Sequence, residues 1–149
     1  MKNKIYRNVK FICTLIFLIT LGVLQSQEKP KNIIQLDITG IKNNTGFIQV
    51  AVYRSDTDFD MDKFSYIIAV PASLEVQVSI PNLEAGKYAI AVFHDENKNK
   101  KLDKNFVGIP KEGYGFSNNA VGKLGPPKFS ETSFSLESQL KKMSIRMIY

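Results

Sequence analysis

The stretch NLEAGKYAIAVFHD, residues 82–95, predicts a tight turn followed by a β-strand. Asparagine and glycine favour the turn, and apolar side chains then alternate between two faces over residues 87–95. Similar short segments recur along the chain, whereas helical periodicity is almost absent. The predicted strands are residues 33–41, 46–54, 66–72, 73–80, 87–95, 129–137 and 140–149. About seven strands with frequent turns indicate an all-β fold, a single antiparallel β-sandwich with a long loop after the strand at 87–95.

The first 26 residues predict export. Basic residues occur within the first ten positions, and residues 11–24 form an apolar core that is too short to span a bilayer, which needs about 20 residues. We therefore expect residues 1–26 to be a signal peptide and residues 27–149 to be the β-sandwich domain. A retained amino-terminal anchor is the alternative. The exported domain would lie in the periplasm, at the cell surface or outside the cell, with no transmembrane segment after cleavage.

Charge and cysteine content exclude several classes of function. The chain has a formal charge of +6, but four positive charges precede residue 27, which leaves +2 for residues 27–149. The high isoelectric point is therefore mostly a property of the leader and gives no argument for nucleic-acid binding. The one cysteine, Cys13, also lies in the leader, so the domain has no disulfide or thiol chemistry. We expect a monomer that is stabilised by its core or by a metal.

The polar run HDENKNKKLD, residues 94–103, matches part of a calcium-binding loop. In that template, side-chain oxygens occupy positions 1, 3 and 5, and position 7 contributes a backbone carbonyl. The predicted ligands are Asp95, Asn97, Asn99, the carbonyl of Lys101, and Asp103. Position 6 is Lys100 instead of glycine, so a left-handed backbone there would cost about 1 kcal/mol. Two carboxylates among several lysines predict weak Ca²⁺ binding. The alternative is an Asx-rich turn whose side chains bond their own backbone.

The segment FVGIPKEGYGFSNNAVG, residues 106–122, is a glycine-rich loop with several aromatic residues. One interpretation is a packed loop whose aromatic rings cover the end of the sandwich. The other is a binding surface for an unknown ligand. The predicted binding residues are His94, Glu112, Tyr114, Phe116, Ser117, Asn118 and Asn119. A further acidic stretch is best interpreted as a solvated connection, and the alternative is a second cation site if the chain there is extended. Its residues are Asp56, Asp58, Asp60 and Asp62.

Both loop motifs together resemble a family of small exported bacterial proteins, domain of unknown function 2141. Its members show His-Asp-x-Asn-x-Asn-Gly-x-Leu-Asp and then Gly-x-Pro-x-Glu-Gly-Tyr-Gly-Phe-Ser-Asn. This chain matches both patterns except at Lys100, where the family usually has glycine. The resemblance implies no activity, because the family has none assigned. Residues 82–95 are also similar to the central-strand entry of transthyretin-like and carboxypeptidase-regulatory-like domains, which implies an Ig-like or transthyretin-like sandwich.

These features favour an exported, non-enzymatic β-sandwich module that binds an unknown ligand or a partner in the envelope or at the cell surface. One alternative is a hydrolase acting on an envelope or extracellular substrate through His94, Asp95 and Glu112. A single histidine excludes a multi-histidine zinc site, and Ser117 lacks the Gly-x-Ser-x-Gly turn of many serine hydrolases. Another alternative is an accessory subunit that offers an edge strand to a larger assembly.

Overall fold

A computed structural model describes residues 31–123, 125–137 and 139–149 of the 149-residue chain. The predicted signal peptide and its cleavage site lie outside the described residues. Within the described part, no helix has the length and apolar character needed to cross a bilayer.

Two β-sheets make up the fold. The smaller sheet has the strand order β4-β1-β8 and contains β1 (Asn32–Thr39), β4 (Val76–Leu83) and β8 (Leu140–Arg146). The larger sheet has the order β3-β2-β5-β6 and contains β2 (Phe47–Tyr53), β3 (Tyr66–Pro71), β5 (Gly86–Asp95) and β6 (Tyr114–Phe116). A short strand, β7 (Phe134–Leu136), also pairs with β5. The predicted all-β sandwich is confirmed. All strand pairs are antiparallel except β1 with β8, which run parallel.

The main core lies where alternating apolar faces of the two sheets are buried. Strand β1 alternates strictly, with Ile34, Leu36 and Ile38 buried and the residues between them exposed. Strand β2 differs, because six of its seven residues are buried and both of its faces are therefore covered. A second apolar cluster explains the covered outer face of the larger sheet, and its buried members are Ala51, Tyr53, Ala89 and Phe129.

Two short helices supply this second cluster, and both correct the sequence-based prediction. Helix α1 (Asp56–Asp60) occupies the acidic connection, where the Oγ of Ser55 accepts the backbone N–H of Asp58 at 3.0 Å. The extended chain that a second cation site would need is therefore not found, and Asp62 instead accepts the hydroxyl of Tyr53 at 2.5 Å. Helix α2 (Phe129–Thr132) replaces the first half of the strand predicted at 129–137, because burying Phe129 against the sheet outweighs local strand propensity.

The strands also differ in extent from their predictions. Strand β4 continues to Leu83, into the start of the turn predicted from residue 82, and includes Asn82 with a φ of 63°. The register of β1 with β4 shifts between Asn32 and Ile34, an irregularity that accommodates this left-handed residue at the strand end.

Candidate functional site

The polar loop begins at the end of β5, beside the turn that precedes β2. Antiparallel pairing places Phe47 opposite Asp95 and Ile48 opposite His94. The turn approaches the loop so closely that a Cβ atom added to Gly46 would lie 2.0 Å from the carbonyl oxygen of Asp95. Gly46 also has a φ of 76°, so both its conformation and its surroundings require glycine.

Asp95 is fully buried and organises the first half of the polar loop. Its Oδ1 accepts the backbone N–H of Asn99 at 2.9 Å, and its Oδ2 accepts the N–H of Lys100 at 3.0 Å. The side-chain amide of Gln49 donates to the same Oδ2 at 3.1 Å. These bonds curl the backbone around the carboxylate, and Lys100 adopts the left-handed conformation that the glycine-type position predicts, with a φ of 64°.

Asp103 closes the second half of the polar loop through side-chain amides. Its carboxylate accepts Nδ2 of Asn97 at 2.6 Å and Nδ2 of Asn99 at 3.0 Å. The oxygens of these two amides accept the backbone N–H groups of Asn99 and Lys101, at 3.0 and 2.7 Å. The structure therefore brings Asn97, Asn99 and Asp103 together, with Asp95 joined to them through the backbone of Asn99. Lys101 is exposed, and it is joined to this group through its backbone N–H, which donates to Asn99.

Glu112 fastens the two ends of the polar loop to each other. It is 6% exposed, and its Oε1 accepts the N–H of Glu96 while its Oε2 accepts the N–H of Asp103, both at 2.9 Å. The side chain of Asn43 donates to Glu96 at 3.2 Å and so connects this clamp to the turn before β2. A buried carboxylate that accepts one backbone N–H on each oxygen holds the two ends of the loop together.

His94 joins three separate parts of the chain. The ring is fully buried, with Nε2 at 2.6 Å from the carbonyl of Thr45 and Nδ1 at 2.7 Å from the hydroxyl of Tyr149. A carbonyl only accepts, so we assign a proton to Nε2, and we assign the Tyr149 hydroxyl as the donor to Nδ1. The Tyr149 oxygen also accepts the N–H of Lys42 at 3.0 Å. Burial raises the pKa of Tyr149, the Lys42 N–H partly lowers it, and the charge of Glu96 raises it further.

The remaining predicted binding residues contact the protein itself. Ring contacts join Phe116 to Phe59 and to Tyr114, with centroid distances of 6.2 and 6.1 Å. Ser117 is buried, where its Oγ accepts the N–H of Ile90 at 2.9 Å and donates to the carbonyl of Thr132 at 2.6 Å. The two asparagines that follow have the same kind of role: Asn118 donates to the carbonyls of Glu131 and Ser133, and Asn119 accepts the N–H of Arg146.

Two partners of the site were not identified from the sequence. Gln49 is 4% exposed and donates to Asp95, and Tyr149 donates to His94. A signal existed for Gln49, because it is the one polar residue inside the apolar segment FIQVAVY. No comparable signal marks Tyr149, whose alternation in the terminal strand resembles that of any apolar residue.

Among the residues that the structure describes, no three histidine, cysteine or acidic side chains form a group that could hold a metal. A calcium site here would therefore depend on amide and backbone oxygens as well as on carboxylates. The carboxylates fit this type of site, since hard oxygen ligands suit Ca²⁺. The amide nitrogens of Asn97 and Asn99 face Asp103, so coordination by their oxygens would require both amide groups to rotate.

A model of the family described as "Uncharacterized protein conserved in bacteria (DUF2141)" matches residues 36–144. This range extends from β1 into β8 and includes both loop motifs. No curated protein and no solved structure matches the chain significantly.

Proposed function

Because the chain belongs to the DUF2141 family of uncharacterized bacterial proteins, we propose a function from its own geometry. We propose that it is an exported, non-enzymatic β-sandwich module whose polar loop, residues 95–103, binds Ca²⁺ weakly. The observation that carries the proposal is the convergence of Asn97, Asn99 and Asp103 in a loop that Asp95 has already folded.

The non-enzymatic assignment is supported by how the three candidate catalytic groups are used. His94, Asp95 and Glu112 are each at most 6% exposed. Both ring nitrogens of His94 and both carboxylate oxygens of Asp95 and Glu112 already have partners within the protein. A general acid or base must reach the substrate proton within hydrogen-bond distance. These groups instead hold backbone in place, as the framework of a binding module requires.

Weak affinity follows from the charges around the polar loop. Of the two carboxylates of the predicted site, Asp95 is fully buried with both oxygens bonded to N–H groups, so Asp103 is the one with some exposure. The same loop carries exposed lysines at positions 98, 100 and 101. Extracellular calcium modules commonly have Kd values of about 10⁻⁴ to 10⁻³ M, so weak binding remains useful after export.

Thermal unfolding with and without chelator tests the calcium site. At a Ca²⁺ concentration of ten times Kd, mass action adds about 1.4 kcal/mol, which corresponds to an increase in Tm of about 4–7 °C for a domain of this size. The Asp103→Asn variant should lose this increase, because it removes a carboxylate while keeping the side-chain size. Mg²⁺ should have little effect, since it demands a rigid octahedral site.

The matched control is Asp60→Asn, which removes an exposed carboxylate from α1. It should keep the full Ca²⁺-dependent increase. The proposal is wrong if Ca²⁺ at 10 mM, about ten times the upper end of that Kd range, leaves Tm unchanged. It is also wrong if Asp103→Asn responds to Ca²⁺ like the unmodified protein.

A further inference from the structure

A small hairpin follows the polar loop and has a well-defined backbone. Lys104 forms a bridge with Pro110, and the N–H of Lys111 donates to the carbonyl of Asp103 at 2.8 Å. At its end, the side chain of Asn105 accepts the N–H groups of residues 107 and 109 at 3.0 and 2.9 Å. Two backbone hydrogen bonds complete the turn. The N–H of residue 105 donates to the carbonyl of residue 109, and the N–H of residue 108 donates to the carbonyl of residue 105.

This turn holds three apolar side chains in solvent. We call Phe106, Val107 and Ile109 the apolar tip; they are 99%, 60% and 59% exposed. Scattered exposed apolar residues are ordinary, but three within four positions on a hydrogen-bonded turn form a contiguous apolar surface. The Oδ1 of Asn105 is turned inward to the backbone, and the side chains at the tip are hydrocarbon.

Positive charge surrounds the apolar tip. Lys104 and Lys111 lie at the base of the hairpin, and further exposed lysines occupy positions 98, 100 and 101 of the adjoining polar loop. The acids of the same segment do not offset this charge at the surface to an equal extent. Asp95 and Glu112 are buried, and the half-buried Asp103 is held by two amides. Glu96, whose side chain is 34% exposed, is also left partly at the surface of this segment, and it accepts the side-chain amide of Asn43.

We propose that the hairpin docks the protein on an anionic lipid surface. The apolar tip enters the boundary between headgroups and acyl chains, and the lysines at its base contact the lipid phosphates. Both attractions are needed, because apolar burial and electrostatic attraction to anionic lipid together determine interfacial binding. The turn suits this role, since the N–H groups of residues 105, 107, 108 and 109 are already bonded and lose little when water is removed.

A tryptophan placed in the tip gives a local readout of insertion. The chain contains no tryptophan, so the variant Phe106→Trp, made in the full chain, has a single indole. With vesicles of phosphatidylglycerol and phosphatidylcholine, its emission should shift to the blue, and brominated acyl chains should quench it. This signal reports the tip alone, even if residues 11–24 also enter the bilayer. The control Phe64→Trp, at a residue that is 45% exposed outside the hairpin, should show neither change.

Charge reversal separates the roles of the lysines and the apolar tip. Each lysine reversed at the base should weaken the apparent partition of Phe106→Trp at least about fivefold, since losing one basic residue near an anionic surface removes about 1 kcal/mol and the added glutamate is repelled as well. We therefore expect at least about a 25-fold loss for Lys104→Glu with Lys111→Glu. The paired control, Lys87→Glu with Lys123→Glu, changes the net charge equally at exposed positions outside the hairpin and should change partition less than twofold.

Three results would overturn the proposal. The first is an indole at position 106 that stays in water with anionic vesicles. The second is insertion that does not depend on charge, seen as equal insertion into pure phosphatidylcholine or as no response to the lysine reversals. The third is a blue shift that depends on protein concentration without any lipid, which would identify a second copy of the chain as the occupant of the tip. None of these outcomes depends on whether the polar loop binds Ca²⁺.

Discussion

Replacing Asp95 with asparagine removes one acceptor oxygen and one charge from a fully buried position. Three donors face the native carboxylate, at 2.9 Å from Asn99, 3.0 Å from Lys100 and 3.1 Å from Gln49. An asparagine has one oxygen, so in either orientation its NH₂ group faces at least one of these donors. A hydrogen bond to a charged group contributes about 1.5–3 kcal/mol, and the variant loses one or two of them. We expect the free energy of unfolding to decrease by about 2–5 kcal/mol.

Urea denaturation in the presence of chelator measures this change without a contribution from metal. The m value should stay constant while the midpoint decreases, and native-state hydrogen exchange at the amides of Asn99 and Lys100 should accelerate. The control Asp37→Asn makes the same substitution on the exposed face of β1 and should stay within about 0.5 kcal/mol of the unmodified protein. If Asp95→Asn matched that control and both amides kept their protection, Asp95 would not organise the polar loop.

Three further predictions test other contacts. Gly46→Ala should cost about 3 kcal/mol or more in chemical denaturation, because its Cβ meets the carbonyl of Asp95, whereas Gly108→Ala, with a φ of 84° and open space, should cost only about 1 kcal/mol. Lys100→Gly should raise stability by up to about 1 kcal/mol by relieving a left-handed backbone, and a lower Tm would contradict this. Burial, followed by the hydrogen bond and charge of Asp62, raises the pKa of Tyr53 in the folded protein. The contribution of this tyrosine to the free energy of unfolding should therefore be fully present below pH 10 and decrease above it by up to about 1.4 kcal/mol per pH unit. Tyr53→Phe should remove this part of the alkaline decrease, and an unchanged slope would refute the assignment.

The local alternation of apolar and polar residues was enough to predict most of the strands. Strands β1, β2 and β5 lie close to the predicted segments, because each has an apolar face of period two that packs into one core. The strand predicted for the first half of residues 129–137 is wrong because of a tertiary contact. Phe129 finds its partners in Tyr53 and Ala51, which precede it by more than seventy positions, and no local pattern shows that the outer face of β2 needs a cover.

The polar loop was predicted in its position and in its backbone, but its internal bonding was not. Spacing identified Asp95, Asn97, Asn99 and Asp103 as neighbours and gave Lys100 its left-handed conformation. Spacing does not reveal that Glu112 bonds both ends of the polar loop, since that contact depends on the hairpin that separates Asp103 from Glu112. The apolar tip was also missed, because Phe106, Val107 and Ile109 look like ordinary packing residues until their exposure is known.

The parallel pairing of β1 with β8 determines when the smaller sheet can fold during synthesis. Its register joins residue 33 to residue 140, so the smaller sheet stays incomplete until the residues of β8 have left the ribosome. Contacts between such distant positions slow folding, because a large loop must close before they form. A nascent chain therefore keeps one side of β1 unpaired until β8 has been synthesised, which delays closure of the sandwich.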